Sequence, residues 1–309
     1  MSSSYLDFFN LREDPFGLTP DPAYYYPFSE HANALLSLDY IMNNREGFYL
    51  LTGEPGTGKT TLLRIFLNKW QPLAEIALVM TPRLSSEEFL QAVLDDLGVI
   101  FPLSGNKNDM IKEFRDFLLE QNQAGRRVAI IVDEAQQLPD ATLEELRLLS
   151  NLETEKEKLL QIILVGQPEL VDKLAADHLR QLNQRISVSS VLTHLSSRAT
   201  ADYLTTRLHR AGAQSSAIFS PKAADLVYQL SGGIPRLINM MASRALMVGF
   251  LEGKPVIEEK QVRVAAVDVL KQERKLQHSS EKKPWVVWVI GGLIAIAAMA
   301  AIAAWKISF

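Results

Sequence analysis

The chain has 309 residues, a formal net charge of -4, 47% hydrophobic residues and no cysteine. Its length suits two soluble domains, or one large domain with an appendage. The mildly acidic balance argues against a protein that coats nucleic acid, and the lack of cysteine excludes disulfides and thiolate metal sites.

Met1 to Asn10 has no basic stretch ahead of an apolar one, so no secretory signal peptide is expected. Tyr5 to Tyr26 carries Pro15, Gly17, Pro20 and Pro22 among many aromatics, which reads as a strap docked on a domain rather than one helix. His31 to Asn44 reads as a helix with Leu35, Leu36 and Leu38 on or near one face. From Gly47 onward strands and helices alternate. Strands are expected at Gly47–Thr52, Ile76–Met80, Val128–Val132, Gln161–Val165 and Ile186–Val191. Ser85 and Glu88 have the spacing of a capping box, Gly98 and Gly125 stop helices, and Asp140 is placed to cap the next one. The pattern predicts an α/β fold with a five-stranded parallel sheet and helices on both faces. After Leu195 four helices follow, at Ser196–Arg210, Pro221–Leu230, Pro235–Leu251 and Glu258–Lys275.

Gly53-Glu54-Pro55-Gly56-Thr57-Gly58-Lys59-Thr60 matches the phosphate-binding (Walker A) pattern in full, followed by Thr61. Its glycines let successive N–H groups point at one anion, and the following helix offers its N-terminus to phosphates. Lys59 is expected to reach the β- and γ-phosphates of ATP, and the Thr60 hydroxyl to ligate Mg²⁺. Val128 to Val132 then delivers Asp133 and Glu134 as the Walker B pair. Asp133 is placed to hold the metal's water shell, and Glu134 to deprotonate the attacking water. A P-loop NTPase that hydrolyses ATP is therefore expected.

Trp285 to Trp305 carries no charge and, at about 1.5 Å per residue, is long enough to cross a bilayer. Lys271, Arg274, Lys275, Lys282 and Lys283 precede it and Lys306 follows, which places the preceding residues in the cytoplasm. The expectation is a single-pass protein of the bacterial inner membrane, with lipid contact through 285–305.

Further motifs lie in order along the chain. They are Tyr5-Leu6, Phe8-Phe9, Pro15-Phe16, Leu18-Thr-Pro-Asp-Pro22, Gly47-Phe48, Leu51-Thr-Gly-Glu54, Asp133-Glu-Ala-Gln136, Leu148 to Glu153, Val165 to Leu170, Leu179-Arg-Gln-Leu182, Gln184-Arg-Ile186 and Gly233-Ile-Pro-Arg236. With them the chain resembles, from about Tyr5 to Lys275, the AAA+ ATPases of the general secretion pathway protein A type. The resemblance implies an AAA+ core closed by a helical lid, with ATP and Mg²⁺ as cofactors. It implies that Gln167 is a polar sensor, that Arg185 (or else Arg180) is a finger entering a neighbour's site, and that Arg236 is the lid arginine reading the γ-phosphate. Phe16 and Thr19-Pro20 are implied to wall the adenine pocket. Thr81 stands where many relatives have Asn, at a possible switch position. Longer relatives continue into a periplasmic peptidoglycan-binding domain, so this chain resembles a short form.

The domains expected are a strap and helix at 1–46, the nucleotide-binding core at 47–195, the helical lid at 196–275, a basic linker at 276–284, the transmembrane helix at 285–305 and a tail at 306–309. The expected function is a membrane-anchored ATPase, a homo-oligomer, that assembles or regulates a secretion, pilus or polysaccharide-export machine through inner-membrane partners. The alternative is a DNA-associated ATPase of the transposition-helper type. Arg207 to Arg210 offers it a local basic patch, but the acidic balance counts against nucleic acid as a partner. A nucleotide-dependent scaffold that scarcely hydrolyses ATP is a third reading, disfavoured by the intact Asp133-Glu134 pair.

Overall fold

The computed structural model describes residues 4–280 apart from 81–82, 102–105, 156 and 216–217, with 272–280 as backbone only. A four-residue helix α1 (Tyr5–Phe8) and a 3-10 turn (Pro22–Tyr24) begin the strap, and α2 (Ser29–Asn44) follows. Then come β1 (Phe48–Gly53), α3 (Lys59–Trp70), β2 (Ala74–Val79), α4 (Ser86–Asp96), α5 (Lys107–Gln123) and β3 (Arg127–Val132). The sheet is completed through α6 (Asp140–Leu149), β4 (Gln161–Gly166), α7 (Glu169–Leu174), α8 (Arg180–Asn183) and β5 (Ile186–Leu192). Four helices close the described chain: α9 (Ser197–Arg210), α10 (Pro221–Ser231), α11 (Pro235–Leu251) and α12 (Glu259–Ser280).

All five strands are parallel, in the order β2-β3-β4-β1-β5. Strand side chains alternate between faces, and each face is covered by helices, which is why the inner strands β1, β3 and β4 are almost wholly apolar and buried, while the edge strand β5 alternates. Phe48, Leu50, Ile130, Val132, Ile162 and Leu164 pack with residues of α4, α5 and α6 such as Phe89, Phe114 and Leu146. Tyr49, Leu51, Ile131, Ile163 and Val165 pack with residues of α2 and α3 such as Leu38, Leu62 and Phe66. A separate core joins the strap to α9–α12. There Phe9, Leu11, Phe16, Tyr24 and Phe28 meet Leu208, Phe219, Ile238, Leu246 and Ile257.

Several local expectations change. The buried stripe of α2 is His31, Ala34, Leu38, Ile41 and Met42, while Leu36 is exposed, because the helical period carries 36 to the outer side. Asp140 does not cap α6; Pro139 is the N-cap, and the Asp140 carboxylate binds Lys173 and His178 instead. Helix α12 runs to Ser280, into the stretch expected as linker. The expected single-pass inner-membrane location is corrected as well. Among the described residues no helix is long and apolar enough to cross a membrane, and residues 285–305, on which that expectation rested, lie outside them. Thr81 also lies outside the described residues.

Candidate nucleotide site

Because β4 lies between β1 and β3, the carboxyl ends of those strands converge on one edge of the sheet. In open parallel sheets this edge, where strand order reverses, is where ligands bind. β1 ends in the loop 53–58, β3 ends in Asp133-Glu134, and β4 ends just before Gln167.

The loop is shaped by Gly56 (φ 83°) and Gly58 (φ 101°), a backbone region that side chains rarely adopt. Both glycines are also tightly covered: a Cβ on Gly56 would come within 2.7 Å of Arg236 Cβ, and one on Gly58 within 2.8 Å of His31 Cε1. Lys59 opens α3 and is buried; its ammonium donates to the carbonyls of Gly53 (2.6 Å) and Glu54 (3.1 Å). Burial pushes the Lys59 pKa down, against the opposing pull of Glu134 and Asp133. Thr57 is buried and its hydroxyl donates to the Glu54 carbonyl (2.8 Å), whereas the Glu54 carboxylate turns away to His194 (3.1 Å).

Asp133 is buried, which pushes its pKa up, and it hydrogen-bonds the backbone N–H of Glu134 and the Thr60 hydroxyl. Glu134 sits in the left-handed region (φ 53°), so the chain turns sharply and aims its side chain back over the sheet edge. The Gln167 side-chain amide donates to Glu134 Oε2 at 3.0 Å. The Gln167 side chain is thus engaged by the Glu134 carboxylate.

A cleft of about 380 Å³ opens over these groups. Pro55, Gly56, Gly58, Lys59, Thr60, Thr61 and Glu134 line one end. The strap from Gly17 to Asp21 and Tyr24 to Tyr26, with Tyr203, Arg207 and Asn239, lines the other. Arg236 is exposed at the start of α11 and also lines the cleft; its backbone N–H donates to the Gly56 carbonyl at 3.2 Å. Phe16 does not line the cleft. Its ring is buried in the strap core, edge-on to Phe219 at 6.2 Å, so the expectation that it walls a base pocket is corrected. Arg185 and Arg180 lie away from the cleft. Arg185 is half-buried and donates to Ser150 Oγ (2.7 Å) and the Arg147 carbonyl (3.2 Å), while Arg180 is exposed.

Four groups of the cleft had no motif to reveal them. His31 donates from Nε2 to the Thr57 carbonyl (2.9 Å), stacks on Tyr25 and packs at a tilt against Phe28. Burial pushes the His31 pKa down to about 4. Arg207, Tyr203 and Asn239 form a buried chain: Arg207 donates to Tyr203 Oη (2.9 Å) and to the Pro15 carbonyl (2.5 Å), and Tyr203 donates to Asn239 (3.0 Å). Arg210 in turn holds the carbonyls of Ala23 and Tyr25. Both arginines of the supposed basic patch therefore pin the strap.

The AAA domain family model matches residues 42–174. The chain carries an AAA domain over these residues. It is related to general secretion pathway protein A of Aeromonas hydrophila, with 42% identity over 265 residues, 86% of this chain. The chain spans about half of that relative's length (48%). Among solved structures it is similar to ORC2 of Aeropyrum pernix (TM-score 0.63) and to Cdc6p of Pyrobaculum aerophilum (TM-score 0.62). Each is 17% identical, and each match covers 84% of this chain and 72% of the other, a likeness that concerns the fold alone.

The AAA fold implies nucleotide binding. The cleft's chemistry fits a nucleotide with a magnesium ion: a buried lysine in an N–H-lined loop suits phosphates, and a hydroxyl beside a buried carboxylate suits a hard cation. Among the described residues no three His, Asp or Glu side chains gather as a metal cage. A divalent ion here would therefore complete its shell with phosphate oxygens and water, as magnesium does in such sites.

Proposed function

We propose that this ATPase binds ATP across the cleft, phosphates on the loop 53–60 and base toward the strap, and that its turnover drives the assembly or regulation of a secretion, pilus or polysaccharide-export machine. The similarity to general secretion pathway protein A over most of this chain carries the second half of that reading.

In the reaction water attacks the γ-phosphorus, the bond to the β-bridging oxygen breaks, and ADP and phosphate leave. Lys59 releases its loop carbonyls and places its charge on the β- and γ-phosphates. Thr60 and Asp133 would hold a magnesium ion, which would supply charge to neutralise the phosphates. Glu134 takes the proton of the attacking water. Gln167 turns its amide to the γ-phosphate, and Arg236 reads that phosphate from the α9–α12 unit, which serves as the lid.

The chain is proposed to act as a homo-oligomer, with an arginine of one subunit at its neighbour's γ-phosphate. Arg185 and Arg180 remain the two candidates. Arg185 is already bonded within its own chain, whereas the exposed Arg180 is placed to reach outward. Mixing tests this: a finger-less variant (Arg185→Ala or Arg180→Ala) combined with Lys59→Ala should regain activity, because one site per mixed pair is whole. The variant that is rescued names the finger; no rescue in mixed oligomers by either rejects a trans-acting arginine at both positions.

For the cellular role, cells lacking the chain should retain the exported product, and Lys59→Ala should not restore export. Undiminished export in those cells would remove the reading. The DNA-associated alternative loses its main support, because Arg207 and Arg210 hold the strap.

A further inference from the structure

We propose that Gln136 is a positioning residue that holds Glu134 in register with the end of β4. This inference rests on the reading of Glu134 as the base.

Gln136 lies two residues past Glu134, in the 3-10 turn Ala135–Gln137. Its side chain spans two strand ends. Nε2 donates to Glu134 Oε2 at 2.6 Å, and Oε1 accepts from the Gln167 backbone N–H at 3.2 Å. The second bond fixes the first. Because Oε1 must face the N–H of Gln167, the amide cannot flip, and its NH₂ is held toward the carboxylate.

The surroundings leave room for this arrangement. A Cβ at Gly166 would fall 2.7 Å from Gln136 Oε1, so the last residue of β4 is bare where the amide rests on it. Lys173 of α7 clamps the turn from behind through the carbonyls of Gln136 and Leu138.

Two amides, those of Gln136 and Gln167, converge on the same oxygen, Glu134 Oε2. Oε1 is left to accept a proton from water. When Gln167 turns toward a γ-phosphate, one of these donors leaves, and Gln136 is then the group that keeps the carboxylate aimed. It also carries any shift of the 167 backbone directly to the base. A base displaced by about 1 Å loses on the order of 100-fold in rate, so such a tether matters to turnover and not to nucleotide affinity.

The test uses the full chain with Gln136→Met, which keeps the side chain's length and removes both amide groups. The expected result is a kcat lower by about 10- to 100-fold, with the KM for ATP and the Kd of a fluorescent ATP analogue within about twofold of wild type. The thermal unfolding midpoint checks the fold. Should the variant unfold, Gln136→Glu carries the test; it keeps the acceptor for Gln167 but sets a negative charge against Glu134, and its kcat should fall at least as far. In a Glu134→Gln background, Gln136→Met should lower the residual rate no further, since it acts through Glu134. Wild-type kcat in Gln136→Met, beside a dead Glu134→Gln, would overturn the role of Gln136 alone. A loss of the same size in both backgrounds would overturn it too, because a merely structural effect is additive. Wild-type turnover in Glu134→Gln would instead remove the base itself, and this proposal with it.

Discussion

The two ends of the cleft are built by different means. At the phosphate end each group follows the end of a strand directly or through one short loop. Lys59 and Thr60 follow β1, Asp133 and Glu134 follow β3, and Gln167 follows β4. At the strap end the parts come from far apart in the chain and meet through arginines on backbone carbonyls: Arg64 on Pro20, Arg207 on Pro15, and Arg210 on Ala23 and Tyr25. The first end gains its geometry from the sheet. The second gains it from long-range pins that close only when the whole molecule has folded. Chemistry and stability should therefore separate between the two ends under mutation.

Lys59→Ala should have the largest effect, abolishing ATP binding while leaving the unfolding midpoint near that of wild type. Lys59 is the one cation within the phosphate loop, and its present partners are the backbone carbonyls of Gly53 and Glu54. Titration with a fluorescent ATP analogue and a melting curve check both halves. Retained tight binding would break the assignment of this end.

Arg207→Met should show the reverse bias. It removes two buried hydrogen bonds and a guanidinium packed on the rings of Tyr24 (4.7 Å) and Tyr203 (5.4 Å). The carbonyl of Pro15 is left without that donor, so the loss should reach about 2–4 kcal/mol in urea unfolding. An unchanged urea midpoint would show that the strap is not held in this way.

Acid sharpens the comparison at the point where the two ends touch. His31 joins the strap aromatics to the Thr57 carbonyl, and burial pushes its pKa from the ordinary 6.5 down to about 4. Glu30 is the charged neighbour that opposes the shift. Between those two pH values the unfolded chain binds a proton that the folded chain refuses. Stability from this group is therefore complete above about pH 6.5 and falls as pH drops toward 4, by roughly 2–3 kcal/mol. His31→Gln should flatten that part of the stability–pH curve; an identical slope would assign it to other groups.

Arg64→Ala should have the smallest effect, under about 1 kcal/mol, because its single carbonyl contact with Pro20 is exposed. Comparison with Arg207→Met by urea unfolding separates the surface pin from the buried one.

The same division decides what could be read in the sequence. The phosphate loop and the Asp133-Glu134 pair were legible because their chemistry is contiguous and strand ends position it. The inner strands β1, β3 and β4 were legible because burial on both faces makes them nearly continuously apolar. The strap end was not. Phe16 carries no mark telling a base-pocket wall from a core ring, and packing against Phe219, 203 residues later, decides it. Arg207 and Arg210 read as a basic patch because a charge count does not register the carbonyls they meet. Asp140 had the residue type of a cap, but Lys173 and His178 draw its carboxylate outward. Gln136 stood inside a quoted motif, yet its role depends on β4 lying beside β3, a neighbour relation that no local spacing encodes.

The central claim is that one carboxylate, Glu134, does the hydrolytic chemistry in a site whose binding is carried by other groups. Phosphate release and ATP-analogue binding, measured on the same preparations of wild type and Glu134→Gln with Mg²⁺, test it most directly. The account predicts that Glu134→Gln binds as wild type does and turns over at least about 100-fold more slowly, the scale of a general base. Equal turnover in the two proteins would contradict it.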